Sequence, residues 1–218
     1  MVRGCGKTAL MMDGAFVTKR FETENERFPD VSDITQLAES LLAALPDSTI
    51  YRAFLYGANP FHGSKQTPLS GPLVDFSATR TARNNTRLLE QLEASEDFAV
   101  RRGELVFEGW RLGRAADRAL QRNPKKTISH RDFVPELTQK GVDMRIGLDI
   151  AALALKRLAD TVVLVTGDAD MIPAMRFARR EGLRVGLCTM GQPGTRRDLR
   201  AHADFMLDWR PGPPPPGP

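Results

Sequence analysis

Cysteine is nearly missing from this chain, with Cys5 and Cys188 its two instances. That scarcity argues against a disulfide framework and a cysteine-ligated zinc site alike, and makes a reducing cytoplasm the expected location. Histidine is almost as rare. His62, His130 and His202 stand apart from one another, so no Ser-His-Asp or Cys-His arrangement can be assembled from the sequence. No apolar run approaches the roughly 18 residues of a membrane span, and no membrane association is expected. The opening Met1-Val2-Arg3-Gly4-Cys5-Gly6-Lys7-Thr8 has a basic start but lacks the apolar stretch of a signal peptide.

What is present suits an ordinary globular protein. The 218 residues suffice for one sizeable core, and a single domain over residues 1–210 is expected. The tail from Pro211 onward, Pro-Gly-Pro-Pro-Pro-Pro-Gly-Pro, should be extended and disordered, because it can pair in neither helix nor sheet. The net charge of +4 says little, but its distribution says more. Residues 101–131 hold nine basic side chains against Glu104, Glu108 and Asp117, a local excess of +6. Such a patch neutralises phosphates without reading bases; the same charges would equally suit a solvated loop. Within and beyond it, Arg111, Arg114, Arg118, Lys125, Lys126, Arg196, Arg197 and Arg200 are the candidate nucleic-acid contacts.

Ala9–Met12 reads as a buried strand ending at Asp13-Gly14. Ser32 opens a helix in which Ile34, Leu37, Ala38, Leu41, Leu42 and Leu45 recur at helical spacing, and Thr49–Tyr56 is a second strand. That β-α-β opening predicts an α/β fold on a mainly parallel sheet. Residues 57–82 show no periodicity and read as a long loop, within an insertion spanning about 57–130. A helix over 85–95 follows, then a strand or hairpin over 98–112 turning near Arg102-Gly103. From Gly141 the pattern sharpens: a helix to about 159, a strand at 161–166, a helix at 171–181, a strand at 183–189, a helix around 195–202 and a last strand at Phe205–Leu207.

Two phosphate-binding patterns fail on context. Gly4-x-Gly6-x-x-Ala9 lacks a preceding strand, and Gly6-Lys7-Thr8 lacks the glycine that a P-loop requires five residues earlier. Asp13 ends a strand, but Ala15 removes the second aspartate of a haloacid-dehalogenase phosphatase. The stronger element is Thr166-Gly167-Asp168-Ala169-Asp170. It lies just past a buried strand, where open α/β sheets place their ligands. Two aspartates at i,i+2 repel each other unless a cation intervenes, and Mg²⁺ or Mn²⁺ prefers oxygen ligands of this kind. Asp143 opens the helix after Lys140-Gly141-Val142. Taken singly, Asp13 suits a turn and Asp143 a favourable place on the helix dipole. Asp149 lies roughly 240° around the helix from Asp143 and is expected to face elsewhere, with Arg145 its i,i+4 partner. Thr166 and Asp149 are candidates for supporting positions beside the cluster.

Asp-Gly after the first strand, Lys-Gly-Val-Asp opening a helix, Thr-Gly-Asp-Ala-Asp and the later Leu-Arg-Ala-His-Ala-Asp together resemble the NYN domain family. That family is a PIN-like nuclease group with a LabA-like bacterial branch. The resemblance covers residues 9–56 loosely and 140–209 closely. It implies a PIN-like three-layer α/β/α sandwich and a metal-dependent ribonuclease site in which Asp13, Asp143, Asp168 and Asp170 hold Mg²⁺ or Mn²⁺. Asp149 resembles an acidic position common in bacterial members. The chain departs from the pattern at Phe16, where many members have Asn, and at Met171, where Phe is frequent. The leading expectation is an endoribonuclease acting on single-stranded or structured RNA, with self-association left open. The same fold serving as a catalytically weak or inactive nucleic-acid-binding or interaction module is the alternative, and a small-molecule phosphohydrolase the third reading.

Overall fold

The structure, a computed structural model, describes residues 6–212; Cys5 and most of the proline-rich tail, 213–218, lie outside the described residues. In chain order the elements are β1 (Gly6–Asp13), α1 (Gly14–Asn25), α2 (Val31–Ala43), β2 (Ser48–Asn59), β3 (Ser64–Gln66), β4 (Leu73–Asp75) and α3 (Arg80–Glu93). Then come β5 (Phe98–Leu112), α4 (Arg114–Arg122), β6 (Phe133–Lys140), α5 (Val142–Leu155) and β7 (Thr161–Val165). The chain closes with α6 (Ile172–Arg180), β8 (Arg184–Cys188), α7 (Arg197–Ala201) and β9 (Phe205–Leu207). They fall into two compact units. One comprises residues up to 57, 88–102 and 141 onward; the other comprises 58–87 and 103–140.

In the first unit the strands lie in the order β5-β2-β1-β7-β8-β9. β1 is parallel to both β2 and β7, and β7, β8 and β9 continue parallel. Alternation sends successive side chains to opposite faces. Ala9, Met11, Phe54, Tyr56, Val162 and Leu164 enter one core with the apolar side of α5 and α6. Leu10, Met12, Ala53, Leu55, Val163 and Val165 enter the other with α1, α2 and part of α3. A sheet buried on both faces needs near-continuous apolar strands, and Ala9–Met12 are 0–1 % exposed. This is the expected α/β/α sandwich.

Two sequence expectations change here. The stretch after Asp13 forms a helix, α1, that its composition hides. Only Phe16, Val17 and Phe21 are large and apolar on it, and Arg20 is buried instead, donating to Met190 O through Nε (3.3 Å) and Nη2 (3.1 Å). α2 starts at Val31 with Asp30 as its cap rather than at Ser32.

In the second unit β3 and β4 pair antiparallel over Ser64–Gln66 and Leu73–Asp75, within the stretch read as loop. The segment read as a strand or hairpin is one long strand, β5, with no turn at Arg102-Gly103. Its far half pairs antiparallel with β6, a strand that the sequence did not announce.

Candidate active site

β1 and β7 are neighbours in parallel register, Met12 opposite Val165, so their carboxyl ends deliver Asp13 and Thr166 side by side. The turn out of β1 is tight. A β-carbon on Gly14 would stand 2.7 Å from the Tyr56 carbonyl oxygen, which explains glycine at that position. Asp13 caps α1, its Oδ1 accepting from Ala15 N (3.1 Å) and Phe16 N (3.2 Å). Thr166 Oγ1 donates to Asp13 Oδ2 at 3.4 Å and accepts from Asp168 N at 3.1 Å. Asp168 Oδ1 in turn accepts from Asp170 N at 2.9 Å. Thr166 therefore links the two strand ends, and the backbone that carries Asp168 is fixed by it.

Asp143 lies in the first turn of α5, after Gly141 has turned the chain with φ +76°. Burial raises the Asp13 carboxyl above the ordinary range; the Phe16 and Ala15 N–H groups oppose that shift, and the charges of Asp143 and Asp168 add to it. Asp143 is raised by burial and then by Asp168 and Asp170. Asp13 thus feels the charges of Asp143 and Asp168, and Asp143 those of Asp168 and Asp170. None of them forms an ion pair among the described residues.

No three His, Cys, Asp or Glu side chains among the described residues stand close enough to hold a metal ion by themselves. The donor chemistry fits a hard divalent cation nonetheless, being all oxygen, negative and unneutralised. Mg²⁺ is usually held by one or two carboxylates, with water and substrate phosphates completing its shell.

Three features went unread in the sequence. Gly167 is boxed in: a β-carbon there would collide with Gln192 Oε1 and stand 2.7 Å from Phe16 Cε2. Phe16, whose ring replaces the expected amide, thus packs on the loop carrying the acids. Gln192 Oε1 is buried without a hydrogen-bond partner among the described residues, beside that same loop. Asp149 does not pair with Arg145, whose guanidinium reaches back to Gly141 O at 2.9 Å. Its Oδ2 accepts instead from Tyr56 OH and Arg101 Nε, both at 2.9 Å, because the turn of α5 aims it at β2 and β5.

Of the predicted phosphate contacts, Lys126 and Arg196 are engaged with Asp132 and Asp198 at 3.1 and 2.6 Å. Arg197 and Arg200 are exposed on α7 of the first unit, and Arg111, Arg114, Arg118 and Lys125 are exposed on the second.

Comparison with known proteins identifies the family and the fold. The model of the NYN domain matches residues 73–209, a span that holds Asp143, Asp168 and Asp170 and starts after Asp13. The chain belongs to the NYN domain family, whose fold is that of the PIN-like nucleases. The uncharacterized protein MJ0482 of Methanocaldococcus jannaschii is 29% identical over 82 residues, 38% of this chain and 34% of its own length. The uncharacterized protein y4oD of Sinorhizobium fredii is 36% identical over 73 residues, 33% of this chain and 34% of its own. The matches thus span about a third of each relative. A protein of unknown function from Vibrio parahaemolyticus, VPA0982, shares the fold at a TM-score of 0.52 and 17% identity, covering 94% of this chain and 93% of that one.

Proposed function

We propose that the chain is a metal-dependent endoribonuclease that hydrolyses RNA phosphodiesters at the carboxyl ends of β1 and β7. The observation that carries this reading is the convergence of four unneutralised aspartates, from three elements, at the edge where such sheets bind ligands. Asp13, Asp143, Asp168 and Asp170 would hold Mg²⁺ or Mn²⁺. When bound, such an ion lowers the pKa of water and offsets negative charge gathering on a phosphoryl group. The protein's own part is positional. Asp13 is fixed by two backbone N–H groups, Asp168 by Thr166 through its backbone, and Asp143 by the first turn of α5. Arg197 and Arg200, exposed on α7, are available to orient the phosphate backbone.

Family membership supports hydrolysis of phosphodiesters in general; RNA as the substrate is our own reading, as is a cytoplasmic location. No helix among the described residues is long and apolar enough to cross a membrane. The test is cleavage of end-labelled single-stranded RNA in Mn²⁺, Mg²⁺ or EDTA, by the wild-type chain and by Asp143→Asn/Asp168→Asn. Metal-dependent cleavage that falls at least 100-fold in the double variant is expected. Equal cleavage by both proteins would remove the aspartates from the mechanism. RNA bound but left intact in both metals would favour a binding module, a reading for which Phe16 against Gly167 is the structural motive.

A further inference from the structure

The second unit carries charge out of proportion to its size. Residues 58–87 and 103–140 contain 12 Lys and Arg against 6 Asp and Glu, an excess of +6, which leaves the rest of the chain at −2. The excess is not consumed internally. Lys126 and Lys140 find Asp132 and Glu108. Arg114, Arg118 and Arg122 are exposed on α4 and have no carboxylate partner among the described residues. Positions i, i+4 and i+8 share a helix face at steps of about 6 Å along the axis, so the three guanidinium groups form a row.

The same unit holds a cluster of aromatic rings. Phe76, 6 % exposed, is its hub, with ring centroids 5.5 Å from Phe61, 5.7 Å from Phe107 and 6.0 Å from Trp110. The three outer rings stay half-buried. In a regular strand Phe107 and Trp110 would point to opposite faces. A bulge between Phe107 and Gly109 inserts one residue, so Phe107 lies opposite Leu137 and Trp110 opposite Pro135, on one face of the β5–β6 ribbon. Gly109 has φ +144°, and a β-carbon added there would meet nothing within 4 Å, so its glycine serves conformation rather than space. Lys65 stands over the Phe61 and Phe107 rings, at 5.7 and 5.4 Å from their centroids.

We infer that the second unit binds single-stranded nucleic acid, the partly buried Trp110 at the rim of the ring cluster stacking an unpaired base while Lys65 and the α4 arginines neutralise the phosphates. This rests on the reading above that the chain acts on RNA, and it names the form of RNA taken. Aromatic rings within reach of the surface, in a unit rich in cations without carboxylate partners, are what sequence-tolerant single-strand binders use. A duplex keeps its base faces stacked and would leave the rings unused.

The experiment uses the full chain in EDTA, with fluorescein-labelled 12-nucleotide RNA, its duplex form, and phosphatidylserine vesicles. Wild type should bind the single strand at least tenfold more tightly than the duplex. Arg114→Glu/Arg118→Glu/Arg122→Glu should weaken single-strand binding at least tenfold and flatten the salt slope by about 2. Trp110→Ala should weaken it about fivefold or more with the slope unchanged, and Trp110→Phe should restore most of the loss. RNA should also quench Trp110 fluorescence in a Trp209→Phe background. Equal affinity for duplex, affinity untouched by the charge reversals, or binding to vesicles alone would overturn the inference. Repeating the mixture in Mn²⁺ separates the two readings. Binding without cleavage would sink the hydrolase and leave the single-strand surface standing, whereas cleavage with indifference to all second-unit variants would do the reverse.

Discussion

At the scale of single residues, Asp13 serves two ends that conflict. Its carboxylate caps α1 through Ala15 N and Phe16 N, which stabilises the fold. Its charge is half-buried and faces those of Asp143 and Asp168, which destabilises it. The two contributions can be separated by substitution. Asp13→Asn keeps an oxygen acceptor at the cap and removes the repulsion; Asp13→Ala removes both. We expect Asn to lower RNA cleavage at least 100-fold with no loss of melting temperature. Ala should lose activity alike but be about 1 kcal/mol less stable than the Asn variant, which shares the relief of repulsion and keeps the cap. Thermal denaturation beside the cleavage assay checks both; because both variants lack the charge, an Asn variant that unfolds as early as the Ala variant would show that the amide oxygen does not hold the cap. The thiol of Cys188, by contrast, is buried and pushed up to about 11, so it has no part in such chemistry at neutral pH.

At the scale of elements, legibility followed apolar periodicity. β1, β7 and β8 carry buried stretches at residues 9–12, 162–165 and 185–188 because both their faces are covered, and α2 repeats Ile34, Leu37, Ala38 and Leu41 on its buried side. Those elements, and the acids that follow them, could be read. α1 could not, because its buried face includes Arg20, whose guanidinium finds Met190 O only in the folded chain. β6 could not either, since its residues are half-buried at best and its partner is antiparallel and distant. The partners of Asp149 were equally hidden: Tyr56 and Arg101 lie 93 and 48 residues away. The start of α2 shows the same limit. Asp33 accepts from Asp30 N at 2.8 Å, closing a capping box, and takes both terminal nitrogens of Arg27 at 2.6 and 2.7 Å, a pairing that the capping-box spacing does not specify. Removing it strands a guanidinium and uncaps a backbone N–H. Asp33→Ala should therefore cost about 2–3 kcal/mol, read as a lower urea midpoint with an unchanged m-value. A loss under about 0.5 kcal/mol would mean that water replaces Asp33 at no cost.

At the scale of the whole molecule, a site built of raised carboxylates sets how stability responds to pH and to metal. Asp13 and Asp143 both titrate above the ordinary carboxylate value of 3.8 in the folded chain. As pH rises above 3.8 the unfolded chain releases these protons first, so the folded state binds more protons than the unfolded one. Stability contributed by these two groups is complete below 3.8 and is lost as pH rises through their folded values. At neutral pH the metal-free protein is thus carrying repulsion that a divalent cation would relieve. A ligand that binds only the folded state stabilises it by mass action, about 2.7 kcal/mol at a hundredfold excess over its dissociation constant. Mn²⁺ should therefore raise the melting temperature at pH 7, and raise it less at pH 4.5, where protons compete for the same oxygens. Asp13→Asn/Asp143→Asn should abolish both the metal response and its pH dependence. Scanning fluorimetry across that grid decides the matter: an equal shift at both pH values, or one that survives the double substitution, would place the ion elsewhere on the protein.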